Sequence, residues 1–226
     1  MPIGVVESTY YMSEIVKQID ALKVVPVVAI QNLDDAERLA DALTAGGIPC
    51  AEITLRTEAG LPAIELLAKR DDFLVGAGTV HNADQAAAVV DAGAKFVVAP
   101  GFNPKTVSAC IEKNVPIFPG ISSPTDLEQA LEFGLDIVKF FPAEAMGGVK
   151  TLKAFHGPYH EMRFMPTGGV SLKNLLDYLS LPYVIGCGGS WMAKGDLIVA
   201  GRFDEITRLA AETIAIVNEF KSRTID

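Results

Sequence analysis

The chain has 226 residues, half of them apolar, and its 19 basic and 28 acidic side chains give a formal net charge of −9. That length is enough for one sizeable core, and the acidic balance argues against nucleic acid or an anionic membrane as a partner. It leaves room for a small anionic substrate in a locally positive pocket. Cys50, Cys110 and Cys187 are odd in number, widely spaced and set in apolar runs. They read as reduced core thiols of a cytoplasmic protein, not as a disulfide framework.

In chain order, a helix is predicted over residues 8–22 and a strand over 24–29. A helix over 34–45 follows the capping residues Asn32 and Asp34 and stops at Gly46-Gly47. A strand at 50–55 leads to helical spacing over 57–70 and a strand at 73–76. Asn82 opens a helix over 82–92 that ends at Gly93, and a strand follows at 96–99. Helical spacing over 103–113 precedes a strand at 117–119. Ser123-Pro124 starts a helix over 123–133, with Gly134 as its stop, before a strand at 137–140. The series closes with a helix at 149–156, a strand at 163–166, a helix from Ser171 to 180, a strand at 183–187 and a helix at 204–221.

The run 24–30 is too short to span a bilayer, and nothing at the start reads as a signal peptide. No linker-like stretch appears, so the expectation is one domain over residues 1–226. Eight strands alternating with helices imply parallel pairing through crossovers, and strands apolar on both faces suit a sheet covered by helices. The predicted fold is a (β/α)8 TIM barrel with an extra N-terminal helix. A doubly wound sheet is disfavoured, because no strand–GxGxxG–helix unit followed by an acidic residue occurs. In a barrel the active site lies at the C-terminal strand ends.

The unusual residues sit at those ends. Lys139 lies inside Ile137-Val138-Lys139-Phe140-Phe141-Pro142. Buried strands seldom carry an unpaired lysine, and apolar surroundings disfavour an ammonium, leaving an amine that can attack a ketone. A lysine snorkelling to water, or paired with a buried carboxylate, fits this segment equally well. Glu52, Thr54 and Arg56 alternate on one face of the second predicted strand. They offer a carboxylate for proton transfer and a guanidinium that can grip a substrate carboxylate, or else an internal Glu52–Arg56 ion pair. Gly168-Gly169 and Gly188-Gly189-Ser190 end the last two strands. Converging backbone N–H groups there suit a phosphate, with Ser190 capping a short helix over residues 191–194 that Gly195 ends. Tight turns alone would also require those glycines. Thr79 and Thr167 could bond a substrate oxygen or cap the next helix. His156 and His160 are split by Gly157-Pro158, so a zinc pair is not expected and a surface loop is. An amine, a carboxylate base, a guanidinium and a glycine cup together suit Schiff-base cleavage of a phosphorylated 2-oxo acid.

Residues 137–144 (IVKFFPAE), 52–57 (EITLRT), 76–80 (GAGTV), 166–170 (PTGGV) and 188–191 (GGSW) resemble, in the same order, the 2-keto-3-deoxy-6-phosphogluconate aldolase family, which includes 4-hydroxy-2-oxoglutarate aldolases. The resemblance implies a class I lyase of the Entner-Doudoroff pathway that uses no metal or cofactor, usually a homotrimer. Its products would be pyruvate plus glyceraldehyde 3-phosphate, or pyruvate plus glyoxylate. It further implies Lys139 as the Schiff-base residue and Glu52 as general acid/base. Arg56 and Thr79 would meet the pyruvyl carboxylate, and Pro100, Phe141 and Thr167 would line the pocket. Gly168, Gly169, Gly188, Gly189 and Ser190 would reach the phosphate. Some members carry a basic residue after the first strand; this chain has Ala29-Ile30-Gln31-Asn32. A metal-dependent aldolase is disfavoured by the lack of an evident carboxylate and histidine cluster. A non-catalytic phosphometabolite-binding barrel would give Lys139 and Glu52 no required role, and a phosphosugar isomerase or epimerase would leave Lys139 without one.

Overall fold

The computed structural model describes residues 14–224. Its elements, in order, are α1 (Glu14–Leu22), β1 (Val24–Val28), α2 (Asp35–Ala45), β2 (Cys50–Thr54), α3 (Gly60–Leu67), β3 (Leu74–Gly78), α4 (Ala83–Asp91), β4 (Val97–Val98), α5 (Pro104–Glu112), β5 (Ile117–Phe118), β6 (Gly120–Ile121), α6 (Pro124–Glu132), β7 (Ile137–Phe140), α7 (Gly148–His156), β8 (Arg163–Pro166), α8 (Leu175–Leu179), β9 (Cys187–Gly189), α9 (Gly195–Val199) and α10 (Phe203–Thr224). The start of the predicted first helix, residues 8–13, lies outside the described residues.

All strand pairs are parallel. One sheet runs β5-β4-β3-β2-β1-β9 and the other β6-β7-β8. Parallel neighbours need long crossovers, and the helices supply them. The strand predicted at 117–119 is β5, and Pro119, which has no N–H to give to a ladder, separates it from β6, which was not predicted. The Pro119 carbonyl still accepts from Lys139 N–H at 2.9 Å. Isolated parallel bridges, Phe164 with Val184 and Thr167 with Gly188, connect β8 to the segment entering β9.

The strands are buried on both faces, as their unbroken apolar runs require. Helices bury one stripe each; α2 buries Ala36, Leu39, Ala40 and Leu43 at helical spacing. Each such leucine contributes about 1.5–3 kcal/mol by leaving water. The helix starts written in the sequence are present at α4, where Asn82 accepts from Gln85 N–H, and at α6, where Ser123 and Asp126 form a reciprocal capping box.

Several predicted helix boundaries differ. Residues 57–59 stay outside α3, because Thr57 Oγ1 donates to the Ile30 carbonyl at 2.5 Å and holds that backbone to the end of β1. α8 begins four residues after Ser171, because Asn174 Oδ1 takes the Ser171 N–H at 2.8 Å and closes a turn instead. Residues 191–194 are not the short helix expected after Ser190. Trp191 folds back over Gly189 and donates from Nε1 to Thr213 Oγ1 on α10 at 3.1 Å, while Lys194 is extended, so Gly195 opens α9 instead of ending a helix. His156 is the last residue of α7, with its ring stacked on Tyr183 at 3.8 Å, and so is not in a surface loop.

Candidate active site

Lys139 is the third residue of β7 and is 5% exposed; Glu52, at the centre of β2, is 1% exposed. Their side chains meet with Nζ 3.5 Å from Glu52 Oε1. Two buried charges are tolerated when they are paired, so each side chain explains the burial of the other. The contact is at the long limit of a hydrogen bond. Glu52 Oε2 is buried with no hydrogen-bond partner among the described residues. The Phe141 ring lies 5.2 Å from Lys139 Nζ and covers the amine on another side.

Glu52 reaches the amine because of a neighbour in β3. A Cβ on Gly78 would fall 2.1 Å from Glu52 Oε1 and 2.5 Å from its Cγ. No side chain but hydrogen leaves Glu52 its place. This glycine belongs to the GAGTV motif, yet sequence reasoning gave it no role, since only the pairing of β2 with β3, which sets Gly78 opposite Thr54, brings it against the Glu52 side chain. Next to it, Thr79 takes a left-handed backbone, φ 60°, which a β-branched residue seldom adopts.

Arg56 follows β2 and is exposed at the strand end. Its Nε donates to Thr54 Oγ1 at 3.1 Å, and Thr54 Oγ1 donates to the Val28 carbonyl at 2.9 Å. Thr54 therefore fixes the direction of the guanidinium. Among the described residues no ion pair joins Arg56 to Glu52, so the internal pairing that the sequence left open is not made.

The remaining residues lie at neighbouring strand ends. The Pro100 carbonyl packs so closely on Gly120 that a Cβ there would lie 2.1 Å away, and Gly120 is the register partner of Lys139. Thr167 is 5% exposed and bridges to Gly188, bringing Gly168-Gly169 and Gly188-Gly189 to adjacent strand ends, with Ser190 exposed just beyond. Gly168 and Gly169 both have positive φ, 99° and 83°, a turn that L side chains rarely adopt. Burial, with the nearby Glu52 carboxylate adding to it, pushes the Cys50 thiol well above its ordinary range.

A family model described as aldolase, KDPG and KHG aldolase, matches residues 15–209. The chain belongs to the KDPG and KHG aldolase family. It is 50% identical over 210 residues to the 2-dehydro-3-deoxy-phosphogluconate aldolase of Haemophilus influenzae, covering 92% of this chain and 99% of that one. Its backbone resembles the KDPG aldolase of Legionella pneumophila, with pyruvate captured at low pH as a covalent carbinolamine intermediate. That likeness has a TM-score of 0.86 and 40% identity, over 89% of this chain and 98% of that one. The Zymomonas mobilis 2-keto-3-deoxy-6-phosphogluconate aldolase with 3-phosphoglycerate gives a TM-score of 0.83 and 35% identity, over 89% and 95%.

For this family member the fold brings Lys139 against Glu52 and Phe141 directly. It joins Arg56 to Thr54 and sets the two glycine pairs side by side. Sequence reasoning gave no role to Gly78, Glu144, Asn174 or Tyr178. Glu144 stood in the quoted motif IVKFFPAE, but what it touches is on α8, 34 residues away. Among the described residues no helix is long and apolar enough to cross a membrane.

Proposed function

We propose that Lys139 is the Schiff-base lysine and Glu52 the proton carrier of a class I aldolase. The reaction is cleavage of 2-dehydro-3-deoxy-6-phosphogluconate to pyruvate and glyceraldehyde 3-phosphate, as family membership and the pyruvate carbinolamine of the Legionella relative support. The observation that carries the residue assignment is the buried Lys139–Glu52 pair, 3.5 Å apart, with the second carboxylate oxygen unpartnered.

Moving one proton from ammonium to carboxylate yields a neutral amine and a carboxylic acid without changing the net charge of the buried pair. The amine attacks the C2 ketone of the substrate. Glu52 returns the proton as the carbinolamine loses water, which leaves a protonated imine. The carboxylate then takes the C4 hydroxyl proton, and the C3–C4 bond breaks. Its electron pair flows toward the imine nitrogen, giving an enamine and releasing the aldehyde. Protonation of the enamine at C3 and hydrolysis free pyruvate and the amine. Arg56, aimed by Thr54, holds the carboxylate beside the ketone in bidentate fashion, with Thr79 next to it. Pro100, Phe141 and Thr167 wall the reacting carbons. Gly168, Gly169, Gly188, Gly189 and Ser190 receive the phosphate through backbone and hydroxyl donors.

Cleavage of 4-hydroxy-2-oxoglutarate to pyruvate and glyoxylate is a second activity of the same site, supported by a family description that spans both substrates. We also read the two sheets as one closed (β/α)8 barrel of a single domain, which the β8–β9 bridges and the Lys139–Pro119 bond support. The protein works in the cytoplasm as a homotrimer. Incubation with pyruvate and borohydride, followed by peptide mass spectrometry, tests the chemistry. A reduced adduct on Lys139, absent in Lys139→Met, is expected. An adduct on another lysine, or turnover that persists in Lys139→Met, refutes the assignment.

A further inference from the structure

Against the Gly168-Gly169 turn three side chains converge. Tyr178 on α8 is buried, and its hydroxyl donates to Glu144 Oε1 through a very short contact. Burial first, and then the Glu144 carboxylate, push the Tyr178 hydroxyl above its ordinary range, so the phenol stays a donor. The Glu144 side chain lies directly against Gly169, where a Cβ would fall 2.5 Å from Glu144 Cγ. Asn174 completes the group. Its Oδ1 accepts from Ser171 N–H at 2.8 Å, so the other amide atom, Nδ2, faces the Gly169 carbonyl and donates to it at 3.2 Å.

The backbone bonds give this cluster a direction. Glu144 N–H donates to the Gly168 carbonyl at 3.0 Å, and Ala143 N–H to the Thr167 carbonyl at 2.8 Å. The carbonyls of residues 167 and 168 are thus held by the segment after β7, and that of residue 169 by Asn174. In a trans peptide the N–H lies opposite its own carbonyl. Pinning these three carbonyls therefore fixes the directions of the N–H groups of Gly168, Gly169 and Val170, each opposite its own carbonyl. N–H groups fixed in a positive-φ glycine turn can form an anion-binding concavity. Glu144 and Tyr178 also line a cavity of about 360 Å³, with Asn174 and Gly148 at its wall.

We infer that Glu144, Tyr178 and Asn174 are positioning residues that clamp the carbonyl side of the Gly168-Gly169 turn and so set the affinity for the substrate phosphate. The inference rests on the aldolase reading of the strand-end site. None of the three residues touches the reacting carbons; each acts through backbone groups of the glycine turn. Loosening the clamp lets the 168–170 peptides rotate and weakens phosphate binding, while imine formation with unphosphorylated pyruvate proceeds unchanged.

The test uses Asn174→Asp, which keeps the acceptor for Ser171 N–H but replaces the donor to Gly169, and Tyr178→Phe, which removes only the hydroxyl. Four quantities are measured: KM and kcat for the phosphorylated six-carbon acid, the constant for competitive inhibition by inorganic phosphate, and the pyruvate concentration that half-saturates borohydride trapping. Losing one hydrogen bond should raise KM and the phosphate inhibition constant about fivefold. The change in kcat should be under twofold, and pyruvate half-saturation and the melting temperature should stay near those of the unsubstituted protein. Phosphate inhibition that is unchanged in both variants overturns the inference, as does a parallel loss of pyruvate trapping in folded protein. If the unsubstituted protein traps pyruvate and cleaves substrate but ignores phosphate, the clamp inference fails and the Schiff-base chemistry stands. If the unsubstituted protein traps no pyruvate, the reading beneath it fails.

Discussion

Gly78→Ala changes neither Lys139 nor Glu52, yet it should disable their partnership. The new Cβ would lie 2.1 Å from Glu52 Oε1, 2.5 Å from Cγ and 2.7 Å from Cδ. Ordinary contact is about 3.5 Å, so the carboxylate must retreat by about 1 Å or more. Oε1 is already at the long limit of contact with Lys139 Nζ, 3.5 Å, so a retreat from the amine breaks the pair, and β2 is buried along its length. A displacement of about 1 Å in a catalytic group can cost about 100-fold in rate. Overpacking a tight core costs about 1–3 kcal/mol of stability, so the variant should melt lower but still fold. Turnover is read by coupling pyruvate release to a lactate dehydrogenase, and imine formation by borohydride trapping. We expect kcat to fall about 100-fold and trapping to fall less, since attack needs one proton shift and cleavage needs several. Gly195→Ala is the control: nothing lies within 4 Å of its added Cβ, and kcat and melting should hardly move. A folded Gly78→Ala protein with kcat within twofold of the parent would refute Glu52 as the proton carrier.

Arg56→Lys should raise the pyruvate concentration that half-saturates trapping about tenfold, because a point charge replaces a fork that Thr54 aims; an unchanged value would remove Arg56 from the carboxylate site. Cys50, Cys110 and Cys187 are all buried, and burial pushes the Cys110 thiol up to about 12 and the other two further still. Thiolates react and thiols do not, so a chromogenic disulfide should titrate no thiol in the native protein at pH 8 and all three after denaturation. Ser123→Ala removes the side-chain acceptor for Asp126 N–H in the α6 capping box and should cost about 1 kcal/mol in denaturant melts, with kcat unchanged.

The alternation of apolar runs with capped helices was readable because its signals are local. Asn82 and Ser123 bond to backbone groups within three residues of themselves, so their helix starts do not depend on the rest of the chain. The failures have the opposite origin. The segment 191–194 has helical composition, but Trp191 is anchored to Thr213, 22 residues away, and no local pattern carries that contact. Likewise Thr57 is held by Ile30, 27 residues earlier, and the start of α3 moves with it.

The same division runs through the site. Sequence by itself determined which residue types stand at the strand ends: a lysine in an apolar run, a Glu-Thr-Arg alternation and two glycine pairs. Strand period and turn chemistry act over a few residues, and the ordered motifs carried the family. It could not decide whether Lys139 snorkels to water or pairs, nor whether Glu52 faces Arg56 or Lys139. Those choices were settled by the packing of β2 against a side-chain-free position in β3, which left Glu52 room to reach an amine 87 residues away. Burial then makes that pairing obligatory, since neither charge has water to turn to. The Tyr178–Glu144 hydrogen bond is tertiary in the same sense: the two residues lie 34 residues apart in the chain, and only the docking of α8 against the segment after β7 brings them together.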